Sequence, residues 1–202
     1  MVIISITKLH NIMKLDKNGS IHLIIGPMFA GKSSHLIKTI SSFRAIKIPL
    51  FIVKHCLDIR YNSEKIASHN QVLEDCNVVN KLIPLLENED YKSSKVIIID
   101  EAQFFKDLVI FVKYACDIDK KNIIVYGLNA DYNRHPFQNI AEVQALSDDV
   151  KILKAYCCYC MDSTIANFSL RLDSSKEQIM VGTDDVYKPV CRKHYLEYNV
   201  FF

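Results

Sequence analysis

The strand-forming run Ile21-His22-Leu23-Ile24-Ile25 leads directly into Gly26-Pro27-Met28-Phe29-Ala30-Gly31-Lys32-Ser33. The second segment has the pattern G-x-x-x-x-G-K-S, and the apolar periodicity after it predicts a helix over Ser33–Ala45. Between a strand and a helix, this pattern is typical of a loop whose backbone N–H groups surround nucleotide phosphates. We therefore expect Gly26–Ser33 to bind ATP, with Lys32 on the β- and γ-phosphates and the Ser33 hydroxyl as a ligand of Mg²⁺.

Short apolar runs rich in isoleucine and valine recur along the first three quarters of the chain and alternate with amphipathic segments. A second helix is predicted over Asp107–Asp119, with Asp107 as its N-cap. Such alternation is typical of a mainly parallel sheet that helices cover on both faces. The sequence therefore predicts an α/β fold of the P-loop (RecA-like) class, although the strand order does not follow from the pattern. Besides Ile21–Ile25, the predicted strands are Leu50–Lys54, Val96–Asp100, Ile123–Gly127 and Lys151–Tyr156.

The composition bounds the class of protein and its domain organisation. The chain has 202 residues, of which 50% are hydrophobic, and its formal net charge is +2. We expect a packed core, and a disordered or fibrous chain is excluded. The small net charge gives no indication of a nucleic-acid or membrane partner. The expected organisation is an N-terminal extension over residues 1–20, a nucleotide-binding domain over 21–156 and a small cysteine-rich lobe over 157–202.

The apolar run Val96–Ile99 ends in two carboxylates, Asp100 and Glu101. Because the carboxyl ends of parallel strands share one edge of a sheet, the pair should lie on the edge that carries the phosphate loop. There Asp100 can hold Mg²⁺, directly or through water. Glu101 can activate a water, as in an ATPase, or accept the proton of a substrate hydroxyl, as in a kinase. The dipeptide alone does not distinguish these two reactions. Without the phosphate loop, it would indicate only that Asp100 and Glu101 cap the segment that follows the strand.

Four of the seven cysteines fall in the last quarter of the chain, and three of them belong to pairs with metal-knuckle spacing. Cys157-x-x-Cys160 is followed, after thirty residues, by Cys191-x-x-His194. Each pair directs two side chains at one point, and together they supply the closed tetrahedral set of a structural Zn²⁺ site. Because clustered cysteines of odd number are not typical of a secreted disulfide scaffold, we expect a cytoplasmic protein.

In this order the motifs resemble those of the type II thymidine kinases, the cytosolic and viral family with a zinc-bearing lid. The resemblance extends from about Ile21 to Tyr195. It implies transfer of the ATP γ-phosphate to the 5′-hydroxyl of thymidine, which gives dTMP for DNA synthesis. The segments that carry it are Gly26–Ser33, Asp58-x-Arg60-Tyr61, Asp100-Glu101-Ala102-Gln103-Phe104-Phe105, Arg134-x-Pro136-Phe137, Phe168-Ser169-x-Arg171-Leu172 and Val190-Cys191-Arg192-Lys193-His194-Tyr195.

The resemblance also implies roles for individual residues. Glu101 would be the general base, and Asp58 and Arg60 would help to organise the Mg²⁺ and phosphate end of the site. The residues implied at the nucleoside are Phe104, Tyr132 and Phe137 around the deoxyribose and base, Ser169 near the base methyl group, the backbone of Gln178-Ile179-Met180-Val181-Gly182 at the thymine edge, and Tyr187 beside it. Since members of this family are usually homotetramers inhibited by the end-product triphosphate, both a homotetramer and inhibition by dTTP are implied.

Two other classes of protein remain open on the residues alone. A P-loop ATPase with a nucleic-acid-binding zinc ribbon would carry the same phosphate loop, carboxylates and cysteine pairs. Against it, the stretch Met161–Leu170 contains no basic residue. A redox protein would use Cys157-Cys158-x-Cys160 as a reactive dithiol, but this segment does not open a helix early in a βαβ unit.

Overall fold

The computed structural model describes residues 14–58, 65–67, 73–173 and 185–199. Its strands are β1 (Ser20–Ile25), β2 (Leu50–His55), β3 (Lys65–Ala67), β4 (Leu73–Asp75), β5 (Asn77–Val79), β6 (Val96–Asp100), β7 (Asn122–Gly127), β8 (Asp149–Ile152), β9 (Ala155–Tyr156), β10 (Ile165–Ala166), β11 (Phe168–Arg171) and β12 (Tyr187–Val190). Its α-helices are α1 (Lys32–Ala45), α2 (Glu89–Ser93), α3 (Leu108–Lys113), α4 (Gln138–Leu146) and α5 (Arg192–Asn199). Two 3₁₀ helices cover Ile83–Glu87 and Ala102–Phe104, and a π-helical turn covers Tyr114–Ile118.

Six strands form one sheet in the order β5-β2-β6-β7-β1-β8, and every neighbouring pair is parallel. The inner strands β6 and β7 are buried at every residue, as their largely apolar sequences predict. Because all strands run the same way, their carboxyl ends meet at a single edge of the sheet. The predicted α/β class with a parallel sheet is confirmed.

Apolar side chains cover both faces of this sheet. On one face, α1 contributes the buried residues Leu36, Ile40 and Phe43. On the other face, Phe111 of α3 and Val143 of α4 belong to a larger buried cluster. Full burial of one such side chain stabilises a fold by about 1.5–3 kcal/mol. The two layers therefore hold the strand ends, and the loops that follow them, in fixed positions.

Four of the five predicted strands are confirmed to within one residue at each end. The fifth, Lys151–Tyr156, is wrong as a single strand, because the chain leaves the sheet after β8. Leu153 still donates its N–H to the Ile25 carbonyl oxygen at 2.7 Å. Since β1 ends there and turns at Gly26, no sheet partner follows, and β9 pairs with β10 instead.

The predicted helix Asp107–Asp119 forms as α3 and the π-helical turn that continues it. Asp107 occupies the N-cap position, but its side chain makes no hydrogen bond to the helix. Its Oδ2 instead accepts the N–H groups of Leu82 at 2.8 Å and Ile83 at 2.9 Å. The predicted N-cap position of Asp107 is therefore confirmed, but its carboxylate bonds the chain at the start of the 3₁₀ helix Ile83–Glu87 instead of α3.

The chain after β8 forms a small lobe, here called the lid, with a core of its own. In the lid β9 pairs with β10 and β11 pairs with β12, both antiparallel. Leu170, Val190 and Tyr195 are buried there together with Cys157 and Cys191. The domain limits at residues 20 and 156 stay predictions. None of the helices in the described parts of the chain has the length and hydropathy that a bilayer span requires.

Candidate active site and metal centre

The phosphate loop Gly26–Ser33 joins β1 to α1 at the carboxyl edge of the sheet. A Cβ atom on Gly26 would lie 2.4 Å from the carbonyl oxygen of Leu153, so only glycine fits at this position. Gly31, with φ of 79°, adopts a left-handed conformation that favours glycine and turns the chain into α1. No side chain caps α1, so its first N–H groups and the positive end of its dipole face the loop. This arrangement suits a phosphate group.

The Lys32 ammonium lies within the curve of the loop. Its Nζ donates to the carbonyl oxygens of Gly26 at 2.9 Å and Pro27 at 2.8 Å. Ser33 follows Lys32 in the first turn of α1. The loop therefore combines a concentrated positive charge with a hydroxyl oxygen, the two groups that a nucleotide phosphate and its Mg²⁺ require.

Asp100 ends β6, which β7 alone separates from β1. Since neighbouring strands lie about 4.8 Å apart, the backbones of β6 and β1 are about 10 Å apart across the sheet. Asp100 Oδ1 accepts the N–H of Glu101 at 3.0 Å. Asp100 and Glu101 are only 4% and 5% exposed. The structure thus places two buried carboxylates on the edge that carries the phosphate loop.

Glu101 is held in one orientation by its backbone and by Gln103. With φ of 49°, Glu101 adopts a left-handed conformation, which is uncommon for a non-glycine residue. Gln103 Nε2 donates to Glu101 Oε2 at 2.6 Å, and Gln103 Oε1 accepts the N–H of Leu128 at 3.1 Å. Sequence reasoning missed Gln103 as a site residue, although its position two residues after Glu101 was a signal.

Asp58 lies close to the same edge, after the end of β2. Its Oδ2 is 3.3 Å from Lys54 Nζ, and Lys54 is only 1% exposed. Lys54 is also the register partner of Asp100 on the neighbouring strand. A buried lysine requires a carboxylate partner, so Asp58 balances the charge of Lys54 beside the carboxyl edge of the sheet. Arg60, for which a role at the Mg²⁺ and phosphate end was predicted, lies outside the described residues.

Aromatic side chains follow the same strand ends. Phe104 is half-buried, and its ring centroid lies 5.7 Å from that of His55. Burial lowers the pKa of His55, against an opposing effect of Asp107, so the imidazole is neutral at physiological pH. Phe137 is buried at the start of α4. Phe104 therefore follows the carboxylates closely in the chain, whereas Phe137 belongs to the buried core cluster.

The lid contacts both the phosphate loop and the loop between β7 and α4. Ser169 of β11 accepts the N–H of Met28 on its Oγ at 3.0 Å. Arg171 donates from Nε and Nη2 to the Tyr187 hydroxyl at 3.0 and 2.5 Å, and its guanidinium lies 3.7 Å from the Tyr132 ring centroid. Arg171, which was not predicted as a site residue, thus brings Tyr132 and Tyr187 together. The predicted base-reading segment Gln178–Gly182 lies outside the described residues.

Cys157, Cys160, Cys191 and His194 form one compact group in the lid, with all ligand atoms within 4.8 Å of one another. His194 Nδ1 is 3.4 Å from each of the three sulfurs, and the sulfurs of Cys160 and Cys191 are 3.8 Å apart. A tetrahedral Zn²⁺ bound at the usual distances requires edges of about 3.6 Å for N···S and about 3.8 Å for S···S. The group therefore fits Zn²⁺ and fills all four positions.

The surroundings of Cys157 favour the thiolate, which is the form that binds metal. Burial opposes ionisation of this thiol, but nearby backbone N–H groups outweigh it and lower the pKa of Cys157 to about 6. The donors are the N–H groups of Cys191, Tyr159 and Cys160. Burial raises the pKa of the neighbouring Cys158, which is not part of the group.

Comparison with known proteins assigns the family. The profile described as thymidine kinase matches residues 19–195. The chain belongs to the thymidine kinase family. The thymidine kinase of fowlpox virus (strain NVSL) is 39% identical over 184 residues, which cover 87% of this chain and 96% of the relative. Thymidine kinase a of Arabidopsis thaliana is 36% identical over 186 residues, 91% of this chain and 77% of the relative.

A third relative, the thymidine kinase of rabbit fibroma virus (strain Kasza), is 37% identical over 179 residues, 88% of this chain and 96% of the relative. The family resemblance predicted from the motifs is therefore confirmed, and the chain is an ATP-dependent phosphotransferase of the thymidine kinase family. The ATPase and redox alternatives give way to this assignment. Cys157 and Cys160, two of the cysteines that the redox alternative would use, instead lie around His194 with Cys191.

In this thymidine kinase family member, a polar network joins the first half of α1 to the edge strand β8. Because a lysine only donates, His35 Nε2 accepts from Lys151 Nζ at 3.1 Å, and Nδ1 carries the imidazole proton. Nδ1 then donates to the Tyr126 hydroxyl at 2.9 Å, which donates to Thr39 Oγ1 at 3.1 Å. Burial, with the charges of Lys151 and Lys38, lowers the pKa of His35 and so favours the neutral imidazole that accepts from Lys151.

Acidification is expected to destabilise the protein through His35. In the unfolded chain His35 takes up a proton near pH 6.5, whereas in the folded chain it does so only at lower pH. The stability that neutral His35 provides is intact above this pH and is lost as the pH falls towards the lowered folded pKa. His35→Gln retains one donor and one acceptor but does not titrate. The melting temperature of this variant should fall less than that of wild type between about pH 7.5 and 5.5. Equal decreases in the two proteins would show that His35 is not the group responsible.

Proposed function

We propose that the protein transfers the γ-phosphate of ATP to the 5′-hydroxyl of thymidine and releases dTMP and ADP. The observation that carries this proposal is the joint presence, on one sheet edge, of the phosphate loop and the buried Glu101 held by Gln103. The family match over residues 19–195 adds the nucleoside as the acceptor of the phosphate.

Phosphate binding is proposed for the loop Gly26–Ser33. The N–H groups of the loop and of the first turn of α1 would surround the phosphate oxygens. Lys32, which already lies inside the curve, would contact the β- and γ-phosphates as a point charge. The lid contacts the loop through the hydrogen bond from the Met28 N–H to Ser169 Oγ.

The donors at the carboxyl edge fit a hard divalent cation. The Ser33 hydroxyl and the Asp100 carboxylate supply the oxygen ligands that Mg²⁺ prefers. When bound there, Mg²⁺ would neutralise charge on the β- and γ-phosphates. Asp58, which is paired with Lys54, and Arg60 would organise this end rather than carry out a chemical step. The Cys₃His group would hold Zn²⁺ as a structural ion, since its four ligands fill the coordination sphere.

Proton transfer is proposed for Glu101. Its carboxylate would accept the proton of the 5′-hydroxyl as the oxygen attacks the γ-phosphorus, while Gln103 keeps the carboxylate turned to one side. Water in this position would be phosphorylated instead of thymidine, so the site must be closed during transfer. The lid, which contacts both the phosphate loop and Tyr132, would exclude water during the transfer.

Nucleoside binding is proposed for the aromatic wall and the lid. Phe104, Tyr132 and Phe137 would surround the deoxyribose and base, with Ser169 near the methyl group and Tyr187 beside the base. The backbone of Gln178–Gly182 would read the thymine edge. Tyr132 and Tyr187 are held by a shared partner, Arg171, which supports their placement at one pocket.

The choice among nucleoside substrates follows from the proposed aromatic wall and lid backbone, and it tests the proposed function. Thymidine and deoxyuridine should both be phosphorylated. Purine nucleosides should be rejected on size, and deoxycytidine because its amino group presents a donor where the site expects an acceptor. The rejection of deoxycytidine should exceed about 10²-fold in kcat/KM. The measurement is the rate of monophosphate formation with ATP and Mg²⁺ for each nucleoside, and comparable kcat/KM for deoxycytidine would contradict this pairing.

Assembly and control are also proposed from the family. The protein would act as a homotetramer in the cytoplasm and be inhibited by dTTP, which combines the thymidine and phosphate groups of the two substrates. Light scattering gives the oligomeric state, and inhibition kinetics against thymidine and ATP test whether dTTP competes for their sites.

A further inference from the structure

Tyr195 lies directly after the metal-binding residue His194 and belongs to the core of the lid. Its side chain is buried with Leu170 and Val190, and its ring centroid is 5.3 Å from that of Phe168. The residue is only 3% exposed. The ring is therefore fixed by lid packing, which leaves the hydroxyl to point out of the lid.

The hydroxyl of Tyr195 reaches a different part of the molecule. It donates to the backbone carbonyl oxygen of Tyr132 at 2.7 Å. Arg134, from the same loop as Tyr132, places its guanidinium 4.5 Å from the Tyr195 ring centroid. One lid side chain thus contacts two residues of the loop that is proposed to hold the nucleoside.

The shape of that loop and its placement have different causes. Asp131 Oδ1 accepts the N–H groups of Asn133 at 2.8 Å and His135 at 2.9 Å, so the loop forms its turn by local bonds. Its placement against the lid depends on contacts from outside, namely Arg171 on the ring of Tyr132 and Tyr195 on its carbonyl.

The position of Tyr195 depends in turn on the metal centre. Its N–H donates to the carbonyl oxygen of Cys191 at 2.9 Å, in the first turn of α5. This turn carries two of the four metal-binding residues, Cys191 and His194. An ion that holds both side chains fixes the turn, and the turn fixes the direction of the Tyr195 hydroxyl.

We propose that Tyr195 is a positioning residue for the nucleoside: its hydroxyl places the Tyr132 loop against the lid and couples the order of the metal centre to the thymidine pocket. The inference rests on the proposed function. It assigns Tyr195 an effect on thymidine binding and none on ATP, because the phosphate loop meets the lid through Ser169 instead.

The test is Tyr195→Phe in the full-length, metal-loaded protein. The substitution retains the buried ring and removes only the hydroxyl. The KM for thymidine should rise about threefold to tenfold, the effect of one net hydrogen bond, while kcat changes less than about twofold. The KM for ATP and the zinc content should match wild type. Tyr156→Phe is the matched control, since Tyr156 begins the lid but is 67% exposed.

Arg134→Asn provides a second variant that leaves the lid core intact. Arg134 has φ of 66°, a conformation that asparagine tolerates. Loss of its guanidinium should also raise the KM for thymidine, as Tyr195→Phe should. If Tyr195 were only a structural residue, Tyr195→Phe would lower the zinc content or the active fraction and leave the KM for thymidine unchanged. This result would overturn the inference. If wild type did not phosphorylate thymidine at all, the proposed function itself would fail.

Discussion

Glu101→Gln is expected to lower kcat for thymidine phosphorylation by about 10²–10⁴-fold, the usual contribution of a general base. The amide retains the size of the side chain and its capacity to bond Gln103, but it does not accept the substrate proton. ATP should still bind with near-normal affinity, because the phosphate loop lies on another strand. Single-turnover kinetics and nucleotide titration separate the two effects.

Glu142→Gln is the matched control for Glu101→Gln. Glu142 is an exposed residue of α4 that bonds Gln138, so its neutralisation changes the net charge equally without entering the site. It should retain wild-type kcat. Near-normal turnover of Glu101→Gln would show that Glu101 is not the base.

Cys191→Ser should abolish zinc binding and raise the KM for thymidine by about 100-fold or more. Structural Zn²⁺ contributes about 10–16 kcal/mol of apparent binding free energy in small peptides, more than the short strands of the lid provide by themselves. Its loss should unfold the lid and leave the sheet intact, with both apolar layers in place. Binding of ATP through Gly26–Ser33 should largely survive.

Metal content, far-UV circular dichroism and titrations with thymidine and ATP measure these effects. Cys56→Ser is the control, because Cys56 is exposed and lies outside the metal group. Normal phosphorylation of thymidine by the zinc-free variant is the outcome that contradicts a structural lid role.

Local chemistry explains what the sequence alone could predict. The phosphate loop was predictable because Gly26, Gly31, Lys32 and Ser33 act within eight residues of one another. The metal group was predictable because each of its two pairs has a characteristic short spacing. The strands β2, β6 and β7 followed from apolar runs buried on both faces, for which no partner has to be known.

Long-range contacts explain what the sequence could not predict. Gln103 bonds Leu128, Arg171 stacks on Tyr132, and Asp107 bonds Leu82 rather than its own helix. Each of these partners is more than twenty residues away, so only the tertiary structure brings them together. The division of Lys151–Tyr156 into two strands likewise depends on where β1 ends. The order of the strands in the sheet was not predictable for the same reason, because the sequence of one strand does not specify which strand pairs with it.

The partition of the ATP γ-phosphate between thymidine and water tests the central claim most directly. With γ-labelled ATP, Mg²⁺ and thymidine, wild type should place nearly all label in dTMP, and omission of thymidine should leave ATP largely unhydrolysed. This result is predicted because Glu101 accepts a proton from a nucleoside hydroxyl in a site closed by the lid. Release of label as inorganic phosphate at the same rate with and without thymidine would contradict the account.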